Sequence, residues 1–373
     1  MEWTQIYAAV FIMALVLSLI FTPLCQILAG KTGFLDVPRH EEHKQHGKST
    51  PLLGGLAMFG SWMLTCGGGL IAAACFLPAS SGNLVREIAG IPQIGSELLV
   101  VVGCAGVSLL LGTLDDRFSF SARTKLIGQI LIAVVTVMFG GIHITLFVDM
   151  PWISRLISVF WIVFLFNAIN FFDNMDGLAC GTAAIAFVFF TAAAIINGQY
   201  FVACLGACSA GAVIGFWFYN YSPASIFMGD GGSHFLAYIL AVISARVTYF
   251  NPDISASRLS VLIPLFILAV PVFDTFAVVV IRLLNHKPIY VGDHNHISHR
   301  FHHMGITRKR AVLLVHLLCL ISGLGALPLL WGDERVCVIL LMQGATIFLL
   351  LTILQYSSHS ISNEQHHNIT EGR

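Results

Sequence analysis

Charged residues are scarce in this sequence. Only 10% of its residues are charged and 57% are hydrophobic, whereas a soluble domain carries about 25% charged residues. This composition excludes a soluble globular domain. The apolar runs also lack strict alternation of apolar and polar residues, which excludes a membrane β-barrel. The sequence therefore predicts an all-α integral membrane protein.

Paired cysteines and a cleavable leader are missing as well. The nine cysteines form no CxxC pair, which argues against a disulfide framework or a zinc site. The first apolar run has no basic segment before it and is long for a signal peptide, so we interpret it as a membrane span. The formal net charge is zero, and we expect no nucleic-acid partner.

Eleven apolar runs are long enough to cross a bilayer, which takes roughly 20 helical residues. We predict spans near residues 5–29, 54–77, 97–114, 126–147, 153–172, 180–197, 200–219, 234–250, 259–284, 311–330 and 336–356. We interpret residues 1–356 as a single domain and residues 357–373 as a polar, disordered tail. Prolines at 264 and 271 predict a kink in the ninth span.

The distribution of basic residues predicts the orientation in the membrane. With eleven spans, fourteen Lys and Arg residues fall in the odd-numbered loops and the tail, and five fall on the opposite side or at helix ends facing it. Basic residues concentrate on the cytoplasmic side. We therefore expect the N-terminus outside and the C-terminus in the cytoplasm.

Five polar segments hold most of the acids, amides and histidines. They lie near residues 32–51, 115–125, 167–176, 220–233 and 286–310. Their acids, amides and histidines were not counted in choosing the orientation, yet all five segments are predicted on the cytoplasmic side. Polar groups at a membrane are costly unless a cation or hydrogen-bond donors meet them, and they mark functional sites, so these segments predict an active site at the cytoplasmic face.

Two adjacent acids, Asp115 and Asp116, end the third predicted span. Neighbouring residues on a helix point about 100° apart. One acid could hold a metal while the other meets a lysine or acts as a base. The alternative is a solvated loop start in which Arg117 is the partner.

Four oxygen-bearing side chains follow at intervals of three: Asn167, Asn170, Asp173 and Asp176. This spacing keeps them on one drifting face of a helix end. Such a wall suits a hard cation or a phosphate group. A helix cap and a turn could account for one or two of the four.

The segment 220–233 is rich in glycine, which lets backbone approach a ligand closely. Phe227 offers a flat face on which a base could stack. The alternatives are that Asp230 or Ser233 caps the next span and that Phe227 anchors the chain at the interface.

Within the last polar segment, residues 290–303 contain five histidines and Arg300. We interpret the histidines and the arginine as phosphate-binding donors and not as a transition-metal site, since the other segments offer hard oxygen ligands. We expect His302 and His303 to lie at the surface.

Taken together, these segments resemble the polyprenyl-phosphate N-acetylhexosamine-1-phosphate transferase family. The resemblance runs from residue 33 to about residue 310, in order. It rests on GFLDVP at 33–38, KQHGKSTPLLGG at 44–55, LLGTLDDR at 110–117, NAINFFDNMDGL at 167–178, FMGDGGS at 227–233, VPVFDT at 270–275 and the histidine segment.

The resemblance implies an enzyme of the bacterial cytoplasmic (inner) membrane that starts cell-envelope glycan synthesis. It would transfer a sugar 1-phosphate from a UDP-sugar to polyprenyl phosphate in the lipid bilayer, release UMP, require Mg²⁺ (Mn²⁺ could substitute) and could act as a homodimer. We expect these roles: catalytic, Asp115, Asp116, Asp173 and His299; metal-binding, Asp230, Asn170 and Asp115; substrate-binding, Lys48, Lys125, Asn167, Asp176, Asn220, Phe227, His296 and Arg300.

Two departures from the family pattern bear on these expectations. Some members carry a third acid where this chain has Ser119, and the histidine motif reads His296-Ile297-Ser298-His299 in place of His-Ile-His-His. We expect GlcNAc 1-phosphate as the transferred group, with UDP-FucNAc, UDP-QuiNAc or UDP-MurNAc-pentapeptide as alternative donors. A transporter or flippase is the alternative from another class, but it would place its charges near the bilayer midplane.

Overall fold

A computed structural model describes residues 2–36, 49–76, 91–144, 150–250, 256–288 and 295–371, with the backbone alone at 72–76, 91–94 and 354–371. The chain divides into two compact units, residues 1–248 and 249–373. The sequence predicted a single domain.

The first unit is built from eight helices in the part of the chain that the structure describes. They are α1 (Trp3–Thr32), α2 (Gly54–Phe76), α3 (Ile91–Phe118), α4 (Ala122–Phe139), α5 (Pro151–Phe172), α6 (Leu178–Ile196), α7 (Tyr200–Asn220) and α8 (Gly229–Arg246). Each corresponds to one of the first eight predicted spans.

Helix α8 forms the centre of this unit. Every residue from Gly231 to Ser244 is buried, and α8 packs against α2, α3, α5 and α6. Its first two turns carry Asp230, Ser233 and His234. A helix surrounded by other helices can hold such polar groups because protein, and not lipid, supplies their hydrogen-bond partners.

A short antiparallel pair of strands was not predicted. Strand β1 (Leu35–Asp36) pairs with β2 (Thr50–Pro51), with Leu35 opposite Pro51. The carbonyl of Pro51 then accepts the backbone N–H of Phe227 at 2.8 Å. The strands therefore hold the first polar segment against the segment that precedes α8.

The second unit contains five α-helices among its described residues. They are α9 (Ile263–Ile267), α10 (Ala269–Leu284), α11 (Ile297–His303), α12 (Arg308–Ala326) and α13 (Glu334–Glu371), with 3-10 turns at Arg258–Leu262 and Leu327–Leu330. The segment Arg258–Ile267 and α10 meet at a bend of 73°. This bend lies between the two prolines that predicted a kink.

Helix α13 extends past the predicted end of the last span. The sequence predicts a disordered tail from residue 357, whereas α13 is traced as helix to Glu371. Residues 357–371 contain neither proline nor glycine, so the sequence has no strong helix breaker there.

The structure confirms a helical membrane protein. Nine of the helices in the described ranges are long and apolar enough to cross a bilayer, and the bent pair in the second unit would make ten. Helix α8 is the predicted span that does not meet this criterion. The total of eleven spans and their orientation remain predictions.

Labelling of single cysteines would test the orientation. Ser119 and Ser225 are exposed at the end of the first unit where α3 stops and α8 starts, and Met150 is exposed at the opposite end of α5. In a background without the native cysteines, we expect Ser119→Cys and Ser225→Cys to react with an impermeant maleimide only after permeabilisation. Met150→Cys should react in intact cells, and the reverse pattern would contradict the predicted topology.

Candidate active site

Four carboxylates gather where helices of the first unit end and begin. We call Asp115, Asp116, Asp173 and Asp230 the acid cluster. The first two lie in the last turn of α3, Asp173 follows the last residue of α5, and Asp230 lies in the first turn of α8. All four were predicted site residues, and the fold brings them together.

Lys125 lies between two acids of this cluster. Its Nζ is 2.7 Å from Oδ2 of Asp115 and 3.4 Å from Oδ2 of Asp230. The Asp115 side chain is 5% exposed, whereas those of Lys125 and Asp230 are 28% and 32% exposed. Asp115 also accepts the backbone N–H of Phe120 at 2.7 Å. The accessible side of this group is therefore formed by Lys125 and Asp230.

Asn170 fixes the carboxylate of Asp230 from the other side. Its Nδ2 donates to Oδ1 of Asp230 at 2.9 Å and to the hydroxyl of Ser233 at 3.0 Å. A carboxylate held by an amide and an ammonium has a defined direction, which a binding site for a cation or phosphate requires.

Asp116 holds the start of α8. Its Oδ1 accepts the backbone N–H of Asp230 at 2.9 Å and its Oδ2 accepts that of Gly231 at 3.3 Å. A carboxylate at a helix N-terminus satisfies otherwise unpaired amides and interacts favourably with the helix dipole. The two neighbouring acids thus have separate partners, as the 100° difference in direction predicted.

Glycines allow this close contact between α3 and α8. A Cβ at Gly112 would overlap the backbone carbonyl of Asp230, and one at Gly231 would overlap the hydroxyl of Thr113. Gly229 adopts a φ of +67°, a left-handed conformation that glycine accepts without strain. The distance from the Asp116 carboxylate to α8 therefore depends on residues without side chains.

Asp173 lies just outside the membrane span and is strongly affected by its surroundings. Burial, followed by the charges of Asp230, Asp116 and Asp176, raises the pKa of Asp173 to about 8. Removal of a carboxylate from water and the proximity of like charges both disfavour its ionised form. A bound cation would reverse this effect, so the acid cluster has the electrostatics of a cation site.

Three residues predicted to bind substrate meet at the loop between α7 and α8: Asn220 ends α7, Phe227 lies in the loop, and Asp176 contacts the loop from the segment between α5 and α6. Asn220 is buried, accepts the N–H of Gly177 at 3.1 Å and donates to the carbonyl of Ile226 at 3.0 Å. Asp176 accepts the N–H of Ala224 at 3.1 Å. Phe227 is half-buried. The geometry therefore gives Asn220 a supporting role in the loop and leaves part of Phe227 accessible.

The donor set is compatible with a hard cation such as Mg²⁺. Asp115 and Asp230 present carboxylate oxygens beside the amide of Asn170, and Mg²⁺ binds through one or two carboxylates while keeping several waters. Among the described residues, no group of three His, Cys, Asp or Glu side chains is already arranged to hold a metal. Lys125 and the hydrogen bond from Asn170 would have to shift to open the site.

Two buried residues near this site were missed from the sequence, Gln129 and His234. Nδ1 of His234 lies 2.7 Å from the carbonyl of Asp230, and its Nε2 lies 3.2 Å from Nε2 of Gln129. Asn167, predicted to bind substrate, donates to Oε1 of Gln129 at 2.9 Å. The signal for Gln129 and His234 in the sequence is a polar residue one helical turn from Lys125 and from Asp230, respectively.

The second unit has a buried acid–histidine pair. Asp274 is 1% exposed; its Oδ2 lies 2.7 Å from Nδ1 of His296, and its Oδ1 accepts the N–H of Ile297 at 2.6 Å. Arg300 lies 3.9 Å from the same carboxylate. Asp274 was part of a quoted motif, but its role in orienting His296 was not predicted. Its signal is a lone acid in an apolar helix.

The remaining histidines differ in exposure. His299 is half-buried and its ring centroid lies 6.5 Å from that of His296, while Ser298 is buried. His302 and His303 are exposed, as expected. Lys48, also predicted to bind substrate, lies outside the described residues, as does His294.

Comparison with known proteins identifies the family. Residues 98–248, which contain the acid cluster, match glycosyl transferase family 4. A probable undecaprenyl-phosphate N-acetylglucosaminyl 1-phosphate transferase from Bacillus subtilis is 31% identical over 355 residues, covering 92% of this chain and 87% of the relative. The chain therefore belongs to glycosyl transferase family 4.

Two further relatives show the range of the family. A decaprenyl-phosphate N-acetylglucosaminephosphotransferase from Mycolicibacterium smegmatis is 28% identical over 371 residues, covering 93% of this chain and 88% of the relative. A phospho-N-acetylmuramoyl-pentapeptide-transferase from Bacillus mycoides is 32% identical over 254 residues, covering 63% of this chain and 72% of the relative.

Replacing Gly112 tests whether the contact between α3 and α8 positions the acids. Gly112→Ala should push the helices apart and cost about 100-fold in activity, since a shift of about 1 Å at a catalytic group has that effect. Gly103→Ala on the same helix is the control, because a Cβ there meets no described atom within 4 Å.

The Gly103 variant should keep full activity and change stability by no more than about 1 kcal/mol. Thermal unfolding in detergent and the transfer rate would be measured for both variants. Normal activity of Gly112→Ala would show that the acid cluster does not depend on this contact.

Proposed function

We propose that this protein transfers N-acetylglucosamine 1-phosphate from UDP-N-acetylglucosamine to a polyprenyl phosphate and releases UMP. The observation that carries the proposal is the acid cluster with Lys125 at the ends of membrane helices. Similarity to such transferases covers 92% and 93% of this chain. The product would be a polyprenyl diphosphate carrying the sugar.

The coverage of the relatives favours N-acetylglucosamine as the transferred sugar. Similarity to the B. subtilis relative extends over 92% of this chain, whereas that to the muramoyl-pentapeptide relative extends over 63%. UDP-FucNAc, UDP-QuiNAc and UDP-MurNAc-pentapeptide are the alternative donors.

The reaction joins two anions, so charge neutralisation is its main requirement. An oxygen of the lipid phosphate attacks the β-phosphorus of the donor, the bond from this phosphorus to the bridging oxygen breaks, and UMP leaves with that oxygen. A phosphate monoester has a second pKa near 6 and is largely ionised at neutral pH. Catalysis then depends on positioning and electrostatic stabilisation more than on a base.

The residues of the acid cluster take separate roles in this proposal. Asp115, Asp230 and Asn170 would hold Mg²⁺, for which Mn²⁺ could substitute. When bound, the metal would neutralise charge on the diphosphate. Lys125 would bind a phosphate oxygen.

Asp116 would act through α8, because both its oxygens accept amides there. Asp173 would remain protonated at neutral pH until a cation lowers its pKa.

The loop before α8 would receive the nucleoside. Phe227 would stack on the uracil ring, and Asp176 would bind uridine. Asn220 would support the loop through its hydrogen bond to the carbonyl of Ile226. The predicted roles toward the phosphate groups are kept for Lys48, His296, His299 and Arg300.

We also propose that the protein resides in the bacterial cytoplasmic membrane. Its active site would face the cytosol, where UDP-sugars occur. The protein could assemble as a homodimer.

The position of the charges argues against the flippase alternative. The acids and Lys125 lie in first or last helical turns or just beyond them. An ion-coupled transporter would carry its charged residues near the membrane midplane.

A donor comparison would test the proposed reaction. Purified protein would be incubated with undecaprenyl phosphate, MgCl₂ and each of the four radiolabelled UDP-sugars, and UMP and labelled lipid would be measured. Asp230→Asn, which keeps the size and removes the charge, should lower turnover at least about 100-fold. Near-normal turnover of folded Asp230→Asn would rule out the proposed metal site.

The histidine segment allows a second, matched test. His299→Ala should reduce transfer strongly, because a donor that strengthens as charge develops on phosphate would be lost. His302→Ala and His303→Ala should leave the rate within about twofold, since surface substitutions have small effects. Equal losses from His299→Ala and His302→Ala would show that the phosphate-binding histidine has been assigned wrongly.

A further inference from the structure

A second layer of polar side chains lies beneath the acid cluster. We call Gln129, Asn167 and His234 the lower polar layer. Each is one helical turn from a residue of the site above: Gln129 is four residues from Lys125 on α4, Asn167 is three from Asn170 on α5, and His234 is four from Asp230 on α8. Residues three or four apart lie on the same face of a helix.

The hydrogen bonds of this layer run in one direction. Nδ2 of Asn167 donates to the backbone carbonyl of Val163 at 2.8 Å and to Oε1 of Gln129 at 2.9 Å. With its oxygen used as an acceptor, Gln129 presents its NH₂ group to Nε2 of His234 at 3.2 Å. That nitrogen must accept, so the imidazole proton lies on Nδ1.

The hydrogen bond at the His234 end of this network agrees with a proton on Nδ1. Nδ1 of His234 lies 2.7 Å from the backbone carbonyl of Asp230, which can only accept. A carbonyl at each end thus fixes the amide orientations and the neutral tautomer of His234. A protonated imidazole would place two donors face to face at Gln129. In these four hydrogen bonds each donor meets an acceptor.

The two layers form a closed ring of contacts. Asn170 holds the carboxylate of Asp230 from α5, while Asn167 on the same helix is linked through Gln129 and His234 to the Asp230 backbone. Gln129 and His234 are 3% and 0% exposed. In a buried site, a fully satisfied polar network restricts the relative positions of the elements that it joins.

We propose that Gln129 and His234, linked to Asn167, are positioning residues that fix Asp230 relative to Lys125 and Asn170. This inference rests on the proposed function for its activity readout. It assigns Asn167 to the support of the site and not to substrate contact. Neither Gln129 nor His234 needs to touch substrate or metal for this role.

Two variants would remove the hydrogen bond that links α4 to α8 through Gln129 and His234. Gln129→Met keeps the length of the side chain without its hydrogen bonds. His234→Asn should still donate to the Asp230 carbonyl, as Asn167 and Asn285 each donate to the carbonyl four residues earlier. An asparagine is too short to reach Gln129, so the second variant removes the link while keeping the local bond.

The matched control is a second hydrogen bond between the same two helices. Thr136 on α4 and Tyr238 on α8 are buried, with their hydroxyl oxygens 3.1 Å apart. Thr136→Val and Tyr238→Phe remove this bond farther along both helices from Asp230. A general loss of packing between α4 and α8 would affect the control variants as much as the test variants.

Two readouts would be compared, kcat/KM for transfer and the affinity for Mn²⁺ measured by electron paramagnetic resonance without substrates. We expect each test variant to lose about 10- to 100-fold in kcat/KM, the range for a misplaced catalytic group, and to bind Mn²⁺ more weakly. The double variant should be within about threefold of either single variant, because both cut the same link. The control variants should behave like the wild type.

Three outcomes would overturn the proposal. Folded Gln129→Met could show the kcat/KM and Mn²⁺ affinity of the wild type, or the loss of kcat/KM in the double variant could equal the product of the two single losses. The control variants could also lose as much kcat/KM as the test variants. The Mn²⁺ measurement separates this proposal from the reaction. A wild type that binds Mn²⁺ but transfers none of the four sugars would refute the proposed function, and the Mn²⁺ affinities of the variants would still support or refute the positioning role. If Gln129→Met does not fold, His234→Asn carries the same comparison.

Discussion

The contact between the end of α3 and the start of α8 determines the rest of the candidate site. Near lipid, an unpaired carboxylate and an unpaired backbone amide are both costly. Asp116 satisfies both by accepting two amides of α8, and the absence of a side chain at Gly112 permits the approach. Once this contact forms, Asp115 and Asp230 necessarily lie close together, and Lys125 stabilises the pair.

The burial of α8 explains how polar residues are tolerated in a membrane protein. Its first two turns would be unsuitable next to lipid, yet they are surrounded by neighbouring helices that provide partners for Ser233 and His234. The helix that is not apolar enough to count as a span is thus the one that carries Asp230 of the acid cluster. Its polarity reflects a protein environment and agrees with a functional role.

Much of the architecture was predictable because lipid imposes a simple rule on sequence. Apolar length alone located a helix for each predicted span, and the two prolines located the bend before α10. The limits are equally physical. The β1–β2 pair is only two residues per strand, too short for a periodic pattern. Residues 357–371 contain no proline or glycine that would end α13 where the apolar run stops.

Residues of the candidate site were predictable where several polar side chains occur in one short segment. The acids, Asn170 and Lys125 were found in this way, and the separate directions of Asp115 and Asp116 followed from helix geometry. Gln129, His234 and Asp274 were missed because each bonds to a side chain in another segment of the chain, and no local pattern marks that partner. Asn167 and Asn220 show the converse: each stands in a dense polar motif, yet the side-chain amide nitrogen of each donates to groups within the protein. A motif thus identifies the region of chemistry, while the direction of the hydrogen bonds distinguishes the residues that face a ligand from those that hold them in place.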